Sequence, residues 1–225
     1  VMDFLIISKL VKQLPPYLQY KPLTTSPEAY RCYLQGESAR SRKDYSTARK
    51  MYAQALSLDS NYAHMTLMLS ITCLNDGLFE EARKWSDKAY EKIDLMPTRQ
   101  KILLNKNHAN FYETPIEEIK YLRQLLEIDD KSPDTYYQIG LAYSTLLQYD
   151  KAIPEFLKAL KIYDKLDMKP WWIYNYTELG SAYHNTGQYK KEKNLYKKAE
   201  KDFPDESTLT WRQAILFLTI GDTSM

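Results

Sequence analysis

The residues best able to do chemistry in this sequence are three histidines, two cysteines and a few neighbouring carboxylates. The histidines (His64, His108 and His184) have no His or Cys three or four residues further on, which disfavours a metal site. The carboxylate pairs fall where helices are expected to start or end, and there they interact favourably with helix dipoles or with water: Glu80-Glu81, Glu117-Glu118 and Asp129-Asp130. No acid, base and nucleophile are therefore predicted to converge.

Composition excludes further classes of function. Lys and Arg number 31 against 29 Asp and Glu, a net charge of +2, so charge alone demands neither nucleic acid nor an anionic membrane as partner. The sequence has no phosphate-binding glycine loop and no Gly-x-Ser-x-Gly element. Cys32 and Cys73 are too few for a disulfide framework and are expected to be buried thiols. These observations predict a protein that is not an enzyme and that holds no metal or cofactor.

The six glycines reveal how the chain is organised. Frames of 34 residues begin at Ala29, Ala63, Arg99, Pro133, Ile173 and Ser207, with short inserts before the third and fifth. In these frames the eighth residue is glycine three times: Gly36, Gly140 and Gly180. The fifteenth residue is glycine in the other three: Gly77, Gly187 and Gly221. Every glycine thus falls at one of two positions, or phases, of the 34-residue repeat.

Other phases of the frame agree. Alanine recurs at the twentieth residue (Ala48, Ala82, Ala152) and the twenty-seventh (Ala55, Ala89, Ala159, Ala199). Aromatic residues recur at the eleventh (Tyr143, Tyr183), the seventeenth (Tyr45, Phe79, Tyr149, Tyr189) and the twenty-fourth (Tyr52, Phe156, Tyr196). This pattern resembles the tetratricopeptide-repeat family, most closely in the fourth and fifth frames. The resemblance extends over about residues 29–221.

The spacing has a physical reason. Each frame holds two amphipathic helices joined by a turn near its fifteenth residue, where glycine can adopt a positive φ. Small residues let the two helices approach closely, aromatic residues fill the space between them, and stacking of neighbouring pairs covers the apolar faces. The resemblance implies an all-α fold, an α-α superhelix (a right-handed solenoid) of about five helix pairs plus a C-terminal capping helix.

The domain organisation follows from the frames. Residues 1–28 are predicted to form an amphipathic helix (2–14) and a connector, with Ser26 and Pro27 starting the first repeat helix. The array covers 29–62, 63–96, 99–132, 133–166 and 173–206, and the capping helix covers 207–221. The third frame is degenerate because Lys106 and Glu118 replace small residues and Pro115 lies at the turn. Glu192, at another small position, is expected to loosen the fifth pair.

The first helices of the frames are expected to line a concave groove that takes an extended peptide or a partner helix. Aromatic, amide, charged and methionine side chains at groove positions suit peptide binding. The predicted binding residues are Tyr30, Tyr33, Glu37, Arg40, His64, Met68, Asn107, Asn110, Tyr137, Gln138, Thr177, Glu178, His184 and Arg212. Repeats that clamp chaperone carboxylates place Lys and Asn where this chain has Tyr33 and Glu37, so an acidic C-terminal tail is a poor candidate ligand.

Two hypotheses about function follow. The first is a non-catalytic scaffold that binds a protein or peptide in this groove, without direct nucleic-acid contact. The second is a sensory or regulatory domain, because residues 25–36 and Pro97-Thr98-Arg99 resemble repeat regions attached to bacterial winged-helix regulators, nucleotidyl cyclases and protein kinases. No apolar run approaches the roughly 20 residues of a membrane span. Low cysteine use favours the cytoplasm and leaves a bacterial periplasm open.

Overall fold

A computed structural model describes residue 24, residues 26–61 and residues 63–221. Within them lie eleven α-helices and one short 3-10 helix (Ile93–Leu95), and no strand. The helices are α1 (Pro27–Ser41), α2 (Tyr45–Leu58), α3 (His64–Asn75), α4 (Phe79–Tyr90), α5 (Thr98–Tyr112), α6 (Pro115–Ile128), α7 (Pro133–Thr145), α8 (Tyr149–Lys165), α9 (Tyr174–Asn185), α10 (Tyr189–Asp202) and α11 (Ser207–Ile220). The predicted helix over residues 2–14 lies outside the described residues.

The described part of the chain forms two compact units, which divide between Glu117 and Glu118. In the first unit each helix from α1 to α4 packs on the next one. In the second unit α7 to α10 do the same, and α9 also contacts α7 and α11. The fold is therefore the predicted all-α helical-repeat type, in which consecutive antiparallel helices stack.

Glycines at the eighth phase of the frame allow the close approach of paired helices. A Cβ built on Gly36 would lie 2.4 Å from Tyr52, and one on Gly140 would lie 2.5 Å from Phe156. At Gly180 the nearest atom would be the Tyr196 hydroxyl at 2.3 Å. The predicted pairing of a small residue in the first helix with an aromatic ring in the second is thus confirmed in three repeats.

The turn between paired helices has one backbone conformation in several repeats. Gly77, Gly187 and Gly221 have φ of 74°, 69° and 71°, as their phase predicts. Lys43 and Leu147 lie at the same phase and adopt φ of 62° and 57° without being glycine. The third frame differs, because Glu113 is extended there. The repeat geometry therefore dictates the left-handed turn even where the residue type disfavours it.

The second repeat replaces the glycine and its aromatic partner with a buried polar network. Ser70 and Ser86 occupy the two phases, and the Ser70 hydroxyl donates to the Ala82 carbonyl at 2.7 Å. The Asn107 amide, from α5, donates to the Ser70 hydroxyl at 2.8 Å and approaches the Ser86 hydroxyl at 3.5 Å. A side chain of the third repeat thus takes the space that an aromatic ring fills elsewhere.

Several local expectations are resolved by the structure. Ser26 caps α1 by accepting from the Ala29 amide, with Pro27 in the first turn, as predicted. The third frame has a full first helix, α5, in spite of its poor match to the repeat pattern. Phe79, at the seventeenth phase, does not fill space between helices as predicted, because it is 65% exposed at the start of α4.

Candidate functional site

In the first unit four predicted residues lie together on α1 and α3. The Arg40 guanidinium donates to both Glu37 carboxylate oxygens, at 2.8 and 3.3 Å. The Tyr52 hydroxyl, from α2, donates to the same carboxylate. The Tyr33 ring meets the His64 ring edge-on, with centroids 5.9 Å apart. We call Tyr33, Glu37, Arg40 and His64 the α1–α3 cluster.

The electrostatics of the α1–α3 cluster fix its charge state. Burial works against the Glu37 carboxylate, but Arg40 and Tyr52 hold its pKa below the usual value. Burial also lowers the pKa of His64 to about 4, with Arg99 and Arg40 acting in the same direction and Glu37 against them. At neutral pH the cluster therefore presents an ion pair beside a neutral imidazole and a phenol ring.

The second unit holds a smaller predicted set on α9 and α11. A Glu178 carboxylate oxygen lies 3.9 Å from the Arg212 guanidinium. Burial raises the pKa of Glu178, and Arg212 opposes that rise. The His184 Nδ1 atom lies 3.1 Å from a carboxylate oxygen of Glu192, which is only 1% exposed. Glu192 was expected to loosen the fifth pair. In the structure its buried carboxylate has the His184 imidazole as a polar partner.

A small recess accompanies this second set. Its lining residues come from α9, α10 and α11, and its volume of about 40 Å³ suits one or two water molecules. Burial raises the pKa of Glu192, while His184 acts in the opposite direction. The lining residues are Ser181, His184, Asn185, Glu192, Tyr196, Arg212 and Ile215.

The structure does not offer every predicted residue to a ligand. Met68 is buried in the core of the first two repeats, and Asn107 is buried between Ser70 and Ser86. Thr177 is fully buried in α9. These three side chains pack inside their units, and Asn107 does so because the small Ser70 and Ser86 leave room for it.

The remaining predicted residues differ in how far they are exposed. Tyr30 is buried and its ring lies 5.7 Å from that of Tyr33, while Asn110 is exposed near the end of α5. Tyr137 is mostly buried against Phe156, with ring centroids 5.8 Å apart. Gln138 is half-buried and donates to the Asp134 carboxylate at 2.5 Å.

Two residues of these surfaces escaped the sequence prediction. Tyr174 is 43% exposed at the start of α9. It lies at the second position of its frame, as His64 does. Its position in the frame could therefore have identified it as a groove residue. Tyr52 was expected only to fill space, but its hydroxyl bonds Glu37. The sequence contained a signal for this bond. At the position where the fourth frame has Phe156, the first frame has a tyrosine, and the same frame also carries Glu37 as an acceptor.

Comparison with known proteins agrees with this repeat geometry. A family profile described as Tetratricopeptide repeat matches residues 133–165 and 173–201, and a second profile of the same description matches residues 33–97. Together these ranges cover more than half of the chain. The chain belongs to the tetratricopeptide-repeat family.

Solved structures show the same fold at low sequence identity. The APC/C hetero-tetramer Cut9–Hcn1 aligns with a TM-score of 0.69 and 16% identity over 99% of this chain, which spans only 40% of that chain. A thermophilic tetratricopeptide-repeat protein of Thermus thermophilus gives 0.64 and 17%, over 84% of this chain and 99% of that one. The pilF protein of Pseudomonas aeruginosa gives 0.59 and 13%, over 87% and 85%. Comparison with curated proteins gave no significant match.

Family membership fixes the general role of the chain. Tetratricopeptide repeats bind peptides or proteins, so the chain is a protein-binding scaffold of a fold that is generally non-catalytic. Among the described residues, no three His, Cys, Asp or Glu side chains are grouped so that they could hold a metal ion. None of the described helices is long and apolar enough to cross a membrane.

Proposed function

We propose that this protein binds an extended peptide segment of a partner protein through residues on the first helices of its repeats. The observation that carries the proposal is the α1–α3 cluster. It sets an aromatic pair beside an ion pair whose members keep about a quarter of their side chains exposed, 25% for Arg40 and 26% for Glu37. A peptide can stack on the rings and hydrogen-bond to the ion pair without any rearrangement of the fold.

The second unit supplies a separate surface of the same kind. Tyr174 is exposed, Glu178 and Arg212 form a half-exposed ion pair, and Gln138 offers an amide. We propose that each unit contacts a ligand segment with its own residues. In the first unit these are Tyr33, Glu37, Arg40 and His64, and in the second they are Gln138, Tyr174, Glu178, His184 and Arg212. Tyr30 and Tyr137 support them from beneath. The frames 29–62, 63–96, 99–132, 133–166 and 173–206 are the proposed repeats.

The charge arrangement bears on the kind of ligand. Arg40 is neutralised by a bidentate contact with Glu37, so it offers no free cation for a terminal carboxylate. A chaperone tail that ends in acidic residues is therefore disfavoured. An internal segment with hydrogen-bonding backbone and an aromatic or aliphatic side chain fits the α1–α3 cluster better.

Selection from a displayed random peptide library against the intact protein tests this function. Selected peptides are then measured by fluorescence anisotropy with the variants Tyr33→Ala and Tyr174→Ala. Because each removes an aromatic ring that is at least partly exposed, we expect one of them to weaken binding at least about fivefold.

The matched control is Lys50→Ala, an exposed change on α2, which should leave affinity unchanged. Circular dichroism checks that every variant stays folded. Failure to select any peptide, or equal affinity for all variants, would contradict the proposal.

The regulatory alternative rests on sequence resemblance at residues 25–36 and 97–99. In the structure Pro97 immediately precedes α5 and Arg99 lies in its first turn. The sequence of the complete gene product tests this hypothesis directly. An adjoining output module in that sequence would support it.

A further inference from the structure

The first and fifth repeats each group a carboxylate with a basic side chain and a tyrosine. In the first repeat the Arg40 guanidinium lies 2.8 Å from the Glu37 carboxylate, which also accepts from the Tyr52 hydroxyl. An arginine keeps its charge at every pH at which proteins are folded, so this ion pair is neutral overall at all of them. The fifth repeat replaces the arginine with a group that can lose its proton.

Two members of the group in the fifth repeat keep their phases and one has moved. His184 lies at the twelfth phase, where the first repeat has Arg40, and Tyr196 lies where it has Tyr52. The carboxylate has moved to the second helix of the pair, at Glu192, a phase at which three other repeats have alanine. Histidine, unlike arginine, changes its charge between about pH 5 and 8. The net charge of this group can therefore change with pH.

The Glu192 carboxylate and the His184 imidazole are arranged to hold a shared proton. The imidazole Nδ1 atom lies 3.1 and 3.3 Å from the two carboxylate oxygens, and Glu192 is only 1% exposed. The Nε2 atom lies 3.5 Å from the hydroxyl of Thr219 on α11, which donates to the Ile215 carbonyl at 2.8 Å. Because that hydroxyl hydrogen is engaged, both ring nitrogens face acceptors, which suits a protonated ring.

Other charges around the pair do not replace this proton. Among the described residues, the titratable and charged groups that face the pair are Glu178 of α9, Tyr189 and Tyr196 of α10 and Arg212 of α11. The Arg212 guanidinium lies 3.9 Å from Glu178, and those two charges balance each other. With one shared proton the pair is neutral, and without it the pair carries one buried negative charge, which is costly. Burial accordingly raises the pKa of Glu192 in spite of the opposing effect of the nearby cations.

The helix α11 keeps water away from this pair. Arg212 and Ile215 line the small recess beside it, and Thr219 reaches the imidazole. Leu209 and Leu216 of the same helix join the buried core of the second unit. Separation of α11 from α9 and α10 would admit water to the carboxylate, whose charge would then no longer need the proton. Attachment of α11 and protonation of the pair are therefore linked, and attachment weakens as pH rises through the raised pKa.

We infer that the Glu192–His184 pair is a proton-controlled latch that holds α11 on the fifth repeat. While the pair shares a proton α11 stays attached, and when the proton leaves α11 opens more often. Because Arg212 belongs to α11, opening also separates it from Glu178 in the second unit. The latch does not depend on peptide binding, so either proposal can fail without the other.

Amide hydrogen exchange of residues 207–220 tests the latch, measured by mass spectrometry on the intact protein between pH 5.5 and 8. Exchange rates divided by the intrinsic rates at each pH give the opening constant of α11. Since one proton is linked to attachment, we expect this constant to rise at least about tenfold over the range. An opening constant that does not rise with pH would overturn the proposal.

Two variants separate the latch from other causes of pH dependence. His184→Arg gives the fifth repeat the permanent cation of the first, and Glu192→Ala gives it the small residue that other repeats have at this phase. In both variants the opening constant should be independent of pH, and circular dichroism verifies that their helices are intact. The matched control His108→Arg changes a histidine of the first unit and should keep the original pH dependence. A pH dependence that survives in either of the first two variants, or that the control removes, would also overturn the proposal.

Discussion

Gly140 shows at the residue scale how little room the paired helices leave. Its missing Cβ would meet the Phe156 ring at 2.5 Å, and that ring is itself buried in the closely packed core. Glycine in a helix interior costs about 1 kcal/mol relative to alanine, so its presence here is explained by packing and not by helix propensity.

We predict that Gly140→Ala lowers the free energy of unfolding by about 1–2 kcal/mol, because overpacking outweighs the gain in helix propensity. Urea denaturation followed by circular dichroism measures the change. Adding Phe156→Leu should recover part of the loss, so the double variant should be more stable than the sum of the single changes implies. A Gly140→Ala protein as stable as the original would contradict this account.

His64 gives the molecule a predicted pH dependence. Burial lowers its pKa from 6.5 to about 4. Below about pH 6.5 the unfolded chain binds a proton on this imidazole, while the folded chain does not until about pH 4, so acid favours the unfolded state. We expect the free energy of unfolding to fall by up to about 3 kcal/mol between these values.

The variant His64→Gln isolates this contribution. Its stability, compared with that of the unaltered protein by urea denaturation at pH 7.5 and pH 4.5, should depend less steeply on pH. Glu37, whose pKa is lowered, adds its own loss of stability in more acid solution, and that part should persist in the variant. Parallel pH profiles for the two proteins would show that His64 is not the source.

At the scale of the elements, the turn between paired helices is imposed by the hydrogen bonds that close it. The Leu147 amide donates to the Ser144 carbonyl at 2.9 Å and the Gln148 amide to the Tyr143 carbonyl at 2.9 Å. The turn at Gly187 repeats both bonds, at 3.0 and 2.8 Å. Leu147 is therefore held at positive φ by the geometry of its turn, at a cost of about 1–2 kcal/mol for a side chain with a Cβ.

We predict that Leu147→Gly raises the free energy of unfolding, by up to about 1 kcal/mol, because relief of this strain exceeds the added freedom of the unfolded chain. Gly187→Ala, at the same phase, should lower it by about 1 kcal/mol for the opposite reason. Thermal unfolding of both variants beside the original measures these changes. If both variants shift the midpoint in the same direction, backbone strain does not govern these turns.

At the scale of the whole molecule, the proposed binding surfaces are distributed over two compact units. The α1–α3 cluster belongs to the first unit, and the surface around Tyr174 belongs to the second. Repeat arrays derive their stability from contacts between neighbours, so a change in one repeat acts mainly on the adjacent ones. Each surface can therefore be altered and measured by itself.

Much of this arrangement could be predicted from the sequence, because the repeat is periodic. The two phases of glycine predicted both the close approach at Gly140 and the positive φ at Gly187, since only a residue without a Cβ satisfies either without strain. The cap at Ser26 and the helical fold followed from equally local rules. The fold class could be predicted because the same residue pattern recurs in successive repeats.

The burial of individual groove residues was decided only by the tertiary structure. Asn107 and Thr177 hold phases that face a groove in a regular repeat, and both are buried. Whether such a side chain reaches a ligand depends on its neighbours from other repeats, as Ser70 and Ser86 show by making room for Asn107. The sequence determined which helices pair and where they turn, because those rules are local. Packing between repeats determined which side chains remain outside, because it sums contacts that lie far apart along the chain.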